Sequence, residues 1–99
     1  MGEVEMTSDK TNLWRVEFHK ALSNPVRLEI VDTLIDGEMC QCEIFPKIGL
    51  SQSTVSAYLT QLVRSGILRV RRDGTRKLYS IGNPQVVEVI KQIRALVSP

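Results

Sequence analysis

Two cysteines with a single residue between them, Cys40 and Cys42, and a run of arginines beginning at Arg69 are the side chains of this chain best suited to chemistry. A disulfide closing so small a loop makes a poor structural staple, so the pair reads as two thiols. Thiolates held together near a helix N-terminus have a lowered pKa and form a soft site for thiophilic ions. Two sulfurs alone do not complete a tetrahedral zinc or cadmium site. A trivalent arsenic species suits them better, because its third ligand can come from water or a small thiol. Oxidation of the same two sulfurs, to each other or between subunits, would instead make a redox sensor. The plain alternative is a pair of small, half-buried apolar residues. A thiol oxidoreductase fits less well, since it normally uses two intervening residues on a βαβ framework and none is readable here.

The charge is unevenly placed. A net charge of +2 over 99 residues looks bland, yet residues 1–63 hold five basic and nine acidic side chains. Residues 64–77 hold Arg64, Arg69, Arg71, Arg72, Arg76 and Lys77 against Asp73 alone. A local basic cluster on an acidic body is the footprint of a polyanion contact. A merely solvated face, or a contact with an acidic protein partner, would have the same composition. No glycine-rich phosphate loop, no nucleophile beside a histidine base and no paired carboxylates in one cleft are visible, so the chain reads as a non-enzyme. His19 is the only histidine and reads as a surface or interface residue, while Trp14 and Tyr58 read as packing residues.

The elements that must position these groups follow from length and pattern. The length predicts one domain, and 42% hydrophobic with 24% charged residues is a globular composition. No apolar run is long enough to span a bilayer, and the opening MGEVEMTSDK lacks the basic-then-apolar order of a signal peptide. The expectation is a cytoplasmic protein without a membrane partner. Residues 1–9 read as a flexible tail and 10–99 as the folded unit. A first helix over 10–22 spreads its apolar residues too widely for one core-facing stripe. Asn24-Pro25 opens a second helix, with Leu28, Val31, Leu34 and Ile35 as its buried stripe and Gly37 as its stop. A short helix over 42–48 needs Pro46 in its first turn. Ser51 caps the next helix, Gln52 to Arg64, whose stripe is Val55, Leu59, Leu62 and Val63 and whose stop is Gly66. Asp73-Gly74 between two β-rich runs predicts a two-stranded ribbon over 67–81, its register open between a two-residue and a three-residue turn. Asn83-Pro84 opens a last helix, 84–97, so apolar that Ile90, Ile93 and their neighbours are expected to face a second subunit.

A short helix, a tight turn and a capped helix with small polar outward residues, here over 43–66, is the pattern of a helix-turn-helix. Hydroxyls and amides at the start of such a helix suit base edges in the major groove of double-stranded DNA. An arginine-tipped ribbon beside it would serve as a wing, with Arg69, Arg71, Arg72, Arg76 and Lys77 on the phosphate backbone or in the minor groove. The predicted fold class is mostly α with a β-hairpin wing, a dimeric winged helix-turn-helix.

The segments ALSNPVRLEIVDTL, MCQCEI, GLSQSTVSAYLTQLVRSGIL and VRRDGTRKLYSI resemble the ArsR/SmtB family of winged-helix metal-sensing repressors, from about Phe18 to Ile81. The resemblance implies DNA contacts from Gln52, Ser53 and Ser56, with Thr54 a weaker candidate. Many members carry histidine where Ala57 stands. It also implies a homodimer that holds its operator when free of inducer and releases it when an inducer binds. The pair Cys40 and Cys42 is similar to the family's cysteine-x-cysteine element, which implies As(III) or Sb(III) as inducer, with Cd(II), Pb(II) or Zn(II) less fitting. Where arsenic sensors carry a third cysteine this chain has Phe45. The tail holds no cysteine, and the last helix offers only Glu88 where the family's interfacial zinc site has aspartate and histidine.

Overall fold

The computed structural model describes residues 10–97, with Thr11 described in its backbone alone. The tail expected over 1–9 lies outside the described residues. The elements run α1 (Lys10–Ala21), α2 (Pro25–Thr33), β1 (Met39–Cys40), α3 (Gln41–Ile48), α4 (Gln52–Arg64), β2 (Leu68–Asp73), β3 (Arg76–Ile81) and α5 (Pro84–Val97).

Local chemistry sets the boundaries. Asn24 Oδ1 accepts hydrogen bonds from the amides of Val26 at 2.9 Å and Arg27 at 3.0 Å, and Pro25 begins α2 where no amide hydrogen is needed. Asn83 repeats the device, its Oδ1 accepting from Gln85 N at 2.9 Å. The end of α4 closes with Ile67 N donating to Leu62 O and Gly66 N to Val63 O, a Schellman arrangement that needs the left-handed φ of 84° at Gly66.

Three elements differ from the sequence reading. Helix α2 ends at Thr33 rather than near Gly37; Ile30 and Val31 within it and Leu34 just beyond it are buried, while Leu28 is exposed. Leu28 lies about 200° around the helix from Ile30, so both cannot face one core. Helix α3 begins at Gln41, and Pro46 falls inside it rather than in its first turn. The amide that would have bonded to the Cys42 carbonyl is therefore missing. Caps at both ends and the fully buried Ile44 hold this short helix nonetheless. The ribbon has three strands instead of two: β1 pairs antiparallel with β3 through Met39↔Tyr79 and Cys40↔Leu78, giving the order β1-β3-β2.

The core is Phe18 of α1, Ile30 and Val31 of α2 with Leu34 beyond its end, Ile44 of α3, Val55, Leu59 and Leu62 of α4, Ile67, Leu68 and Tyr79 of the ribbon, and Val86 and Ile90 of α5. Ile90, expected to face a second subunit, is 4% exposed within its own chain; Ile93, Leu96 and Val97 are the exposed ones. Leu13, Trp14 and Val16 of α1 are exposed too, which accounts for the wide apolar spread on that helix. No helix among the described residues is long and apolar enough to cross a membrane.

Candidate nucleic-acid interface and cysteine turn

Helix α4 presents the side chains expected to read DNA. Val55, Leu59 and Leu62 anchor one face in the core at 0% exposure, which fixes the opposite face outward. Gln52, Ser53 and Thr54 are exposed, as are Ala57 and Thr60, and Ser56 is half-buried. Ser51 Oγ caps the helix, accepting from Thr54 N at 3.2 Å and donating to Thr54 Oγ1 at 2.7 Å; Ser53 Oγ lies 3.3 Å from it. Thr54 is thus tied into the cap, whereas the Gln52 amide stands clear of that network.

The other end of α4 is held by Arg27, a residue the sequence reading passed over. Its Nε donates to Ala21 O at 2.7 Å, Nη2 to Lys20 O at 3.2 Å and Nη1 to Gln61 Oε1 at 2.8 Å. Its guanidinium also lies 5.7 Å from the Tyr58 ring centroid. One side chain therefore satisfies carbonyls at the end of α1 and anchors the recognition helix. Tyr58 packs against the core, as its reading as a packing residue required, whereas Trp14 stacks on Phe18 at 5.3 Å but is 54% exposed, so its reading as a packing residue holds only for that one contact.

The wing closes through a two-residue turn. Asp73 pairs with Arg76, with Gly74 at φ 65° in the first central position and no positive φ at Thr75, the pattern of a type II′ turn. The register sorts the basic residues by face, because opposed residues of a ladder share one. Val70, Arg72, Lys77 and Tyr79 share one face; Arg69, Arg71, Leu78 and Ser80 share the other. The first face, with Thr60, Val63 and Arg64 of α4, lines an open groove between helix and wing, and Arg71 from the other face also borders it. Arg72 stands directly opposite Lys77, a like-charge pair that is unfavourable until an anion lies across it. Burial pushes the Tyr79 phenol above its ordinary pKa, an effect opposed by the charge of Arg72.

The five cations expected to contact DNA are not equally available. Arg71 is bound by Glu38, Nε to Oε2 and Nη2 to Oε1, both at 2.8 Å. Arg76 pairs with Asp73 at 3.0 Å. The Arg69 side chain packs over Gly82, where an added Cβ would meet its Cγ at 3.2 Å. Arg72, Lys77 and Arg64 have no ion-pair partner among the described residues. Arg64, the first residue of the basic cluster in the sequence, is brought with Thr60 from α4 to the same groove as the wing cations.

Cys40 and Cys42 lie where β1 turns into α3. They are joined by a disulfide, with Cα atoms 5.1 Å apart, in place of the two free thiols expected from the small loop. Cys40 is the N-cap: its Sγ accepts from Cys42 N at 3.1 Å, and its own amide donates to Glu43 Oε1 at 2.9 Å, completing a capping box. Cys40 is 1% exposed and Cys42 is exposed. Among the described residues no third histidine, cysteine, aspartate or glutamate groups with them as a metal-ligating set. Once reduced, the pair offers one buried and one accessible sulfur, a donor set that fits an ion content with two thiolates.

Helices α2, α3 and α4 packed on one another, with small polar residues presented on the capped α4 and a cationic hairpin beside it, define a winged helix-turn-helix DNA-binding regulator rather than an enzyme. Residues 24–70 match the bacterial regulatory proteins of the arsR family. Over 96% of its length the chain is 36% identical to a probable mercury resistance operon repressor of Streptomyces lividans, of which it covers 74%. It is also 36% identical to an arsenical resistance operon repressor of Staphylococcus xylosus, over 74% of this chain and 69% of that protein. Among solved structures, HlyU from Vibrio cholerae superposes with a TM-score of 0.83 at 29% identity, over 90% of this chain and 97% of that one. A homodimeric winged helix-turn-helix DNA-binding domain from Mycobacterium bovis, a possible ArsR-family regulator, gives 0.79 at 32% identity, over 84% and 77%. The chain belongs to the arsR family.

Proposed function

We propose that this DNA-binding regulator acts in the cytoplasm as a homodimeric repressor, with Cys40 and Cys42 as the switch that releases it from its operator when a thiophilic metalloid binds. The observation that carries the reading is the double role of Cys40: one sulfur caps the helix that supports the recognition helix and is also half of the soft donor pair. Reduction by two molecules of a cellular thiol, through a mixed disulfide and with their own disulfide as the leaving product, would break the sulfur-sulfur bond and yield two thiols. Cys42, exposed, is then the first sulfur an incoming ion meets, and the buried Cys40 the second. Drawing both toward one centre turns the Cys40 lone pairs away from Cys42 N and loosens the start of α3. Helix α3 packs on α2, α4 and β3, so its displacement reaches both the recognition helix and the wing. A few kcal/mol of coupling suffices for release.

The relatives named for arsenical and mercury resistance support a soft inducer. Two protein sulfurs suit As(III) or Sb(III), which use three ligands, better than Cd(II), Pb(II) or Zn(II), for which this chain supplies no further donor among the described residues. Gln52, Ser53 and Ser56 supply sequence preference in this reading, with Thr54 stiffening the cap. Arg72, Lys77 and Arg64 supply backbone affinity, with Arg76 in support. Dimerisation uses Leu13, Trp14 and Val16 of α1 with Ile93, Leu96 and Val97 of α5, a surface too apolar to leave in water; the homodimeric relative supports it. Ile90 is left out because it belongs to the core of each protomer.

The disulfide favours a second reading, in which the oxidised and reduced pair are themselves the two signalling states. One titration separates them: operator binding by reduced protein, followed while arsenite, cadmium, zinc and peroxide are added in turn. Release by arsenite, lost in the double change Cys40→Ser with Cys42→Ser, supports the metalloid switch. Release by peroxide alone transfers the role to redox. Release of the double variant by arsenite places the metalloid site elsewhere.

A further inference from the structure

The pair formed by Glu38 and Arg71 is the one bidentate side-chain ion pair among the described residues, and nothing in the DNA-binding surface requires it. Glu38 directly precedes β1, the edge strand that carries Cys40. Arg71 lies on β2, opposite Leu78, and Leu78 in turn lies opposite Cys40. Cys40, Leu78 and Arg71 therefore form one row across the sheet and share one face. The carboxylate reaches over the middle strand to the far one, so the outer strand of the wing is fastened to the β1 edge by a side chain as well as by the ladder through β3.

We infer that Glu38 is a positioning residue for the wing and that Arg71 is the strut it grips, not a phosphate ligand. This rests on the DNA-binding reading above and assigns roles within the same surface. Beyond the row of Cys40, Leu78 and Arg71 the ribbon is two-stranded, which is marginal by itself, and its exposed outer end carries an unfavourable row of like charge at Arg72 and Lys77. A planar guanidinium held by two parallel hydrogen bonds fixes an angle as well as a distance. The companion Arg69, on the same face, is packed over Gly82, so this side of the ribbon is the brace and the side bearing Arg72 and Lys77 is left to meet the anion. The hydrogen bonds from Arg71 hold the Glu38 carboxyl below the usual glutamate range, and Arg71 is raised in turn, so both stay charged at neutral pH.

The sign of one substitution decides the matter. Glu38→Ala removes a negative charge from the neighbourhood of DNA, and electrostatics alone then predicts tighter binding. A positioning role predicts the reverse: binding of a mixed-sequence DNA duplex weakened by roughly two- to fivefold, the size expected of one exposed pair of good geometry, with the salt slope unchanged. Arg71→Ala should do the same, and the double variant should be no weaker than either single one. Exchanging the partners, Glu38→Arg with Arg71→Glu, should recover most of the loss. Hydrogen exchange of β2 and β3 amides, measured without DNA, should quicken in each single variant while α4 amides keep their protection. Tighter binding by Glu38→Ala, a salt slope lowered by about 0.9 in Arg71→Ala as for a lost phosphate contact, or unchanged wing exchange would each overturn the inference. Failure of the wild-type protein to bind duplex DNA would instead sink the DNA-binding reading, and the exchange measurement would still judge the strut.

Discussion

The recognition helix and the wing use their polar groups in opposite ways. Helix α4 leaves its exposed N-terminal half without charge, commits Ser51 and Thr54 to a cap, and keeps the Gln52 amide free. The wing concentrates cations but binds up part of that charge within the chain, Arg71 on Glu38 and Arg76 on Asp73. Neutral groups held rigid suit discrimination, because a base edge is read by hydrogen-bond direction; mobile cations suit affinity, because a phosphate is felt at any angle. A count of basic residues therefore overstates what a polyanion meets, and the free charge lies at Arg64, Arg72 and Lys77.

The largest expected effect removes the platform shared by both regions. Leu59→Ala empties a site of 0% exposure beneath α4 and should cost about 2–5 kcal/mol in urea unfolding. Sequence preference and general affinity should fall together; retention of either at full strength would show that the two regions are held independently. Next, Gln52→Ala should reduce discrimination between operator and altered operators by about 1–3 kcal/mol at constant salt slope. Measured alongside it, Ser51→Ala should lower stability by about 1 kcal/mol through the lost cap, and a steeper salt dependence in either would blur the contrast.

Smaller still are the wing charges. Arg72→Ala or Lys77→Ala should lower the salt slope by about 0.9 each, equally for every duplex. Asp73→Asn, which frees Arg76 at the tip, should raise affinity by less than about 1 kcal/mol because the pair it breaks is exposed. Weakening by Asp73→Asn would show that the tip, like the base of the wing, depends on its ion pair. The slightest effect is in pH. The folded pKa of Glu38 is depressed, so the contribution of the pair is complete above the unfolded glutamate value of about 4.3 and is lost as pH falls through the lower folded value. Wing amide exchange should rise over that acidic interval in the wild type and stay flat in Glu38→Ala.

Signals that act within a few residues were legible in the sequence because the forces behind them are local. Asn24-Pro25, Asn83-Pro84 and Ser51 each cap a helix by a side chain reaching two or three residues onward, and Asp73-Gly74 marks a hairpin whose turn needs a positive φ at Gly74. Helical periodicity likewise placed Val55, Leu59 and Leu62 inward, and with them Gln52, Ser53 and Ser56 toward the outer side of α4. What only the tertiary structure decided involves residues brought together across long stretches of chain. Met39–Cys40 is too short to read as a strand and becomes one because β3 offers it partners. Glu38 meets Arg71 across 33 residues, and Arg27 meets Gln61 across 34. Ile90 and Ile93 look alike in a periodic pattern, yet the packing of α5 on the sheet buries one at 4% exposure and leaves the other at 52%. Residue type determined which groups could carry charge, cap a helix or bind a soft ion; which of them stay free to do so was decided by neighbours that the linear order keeps far apart.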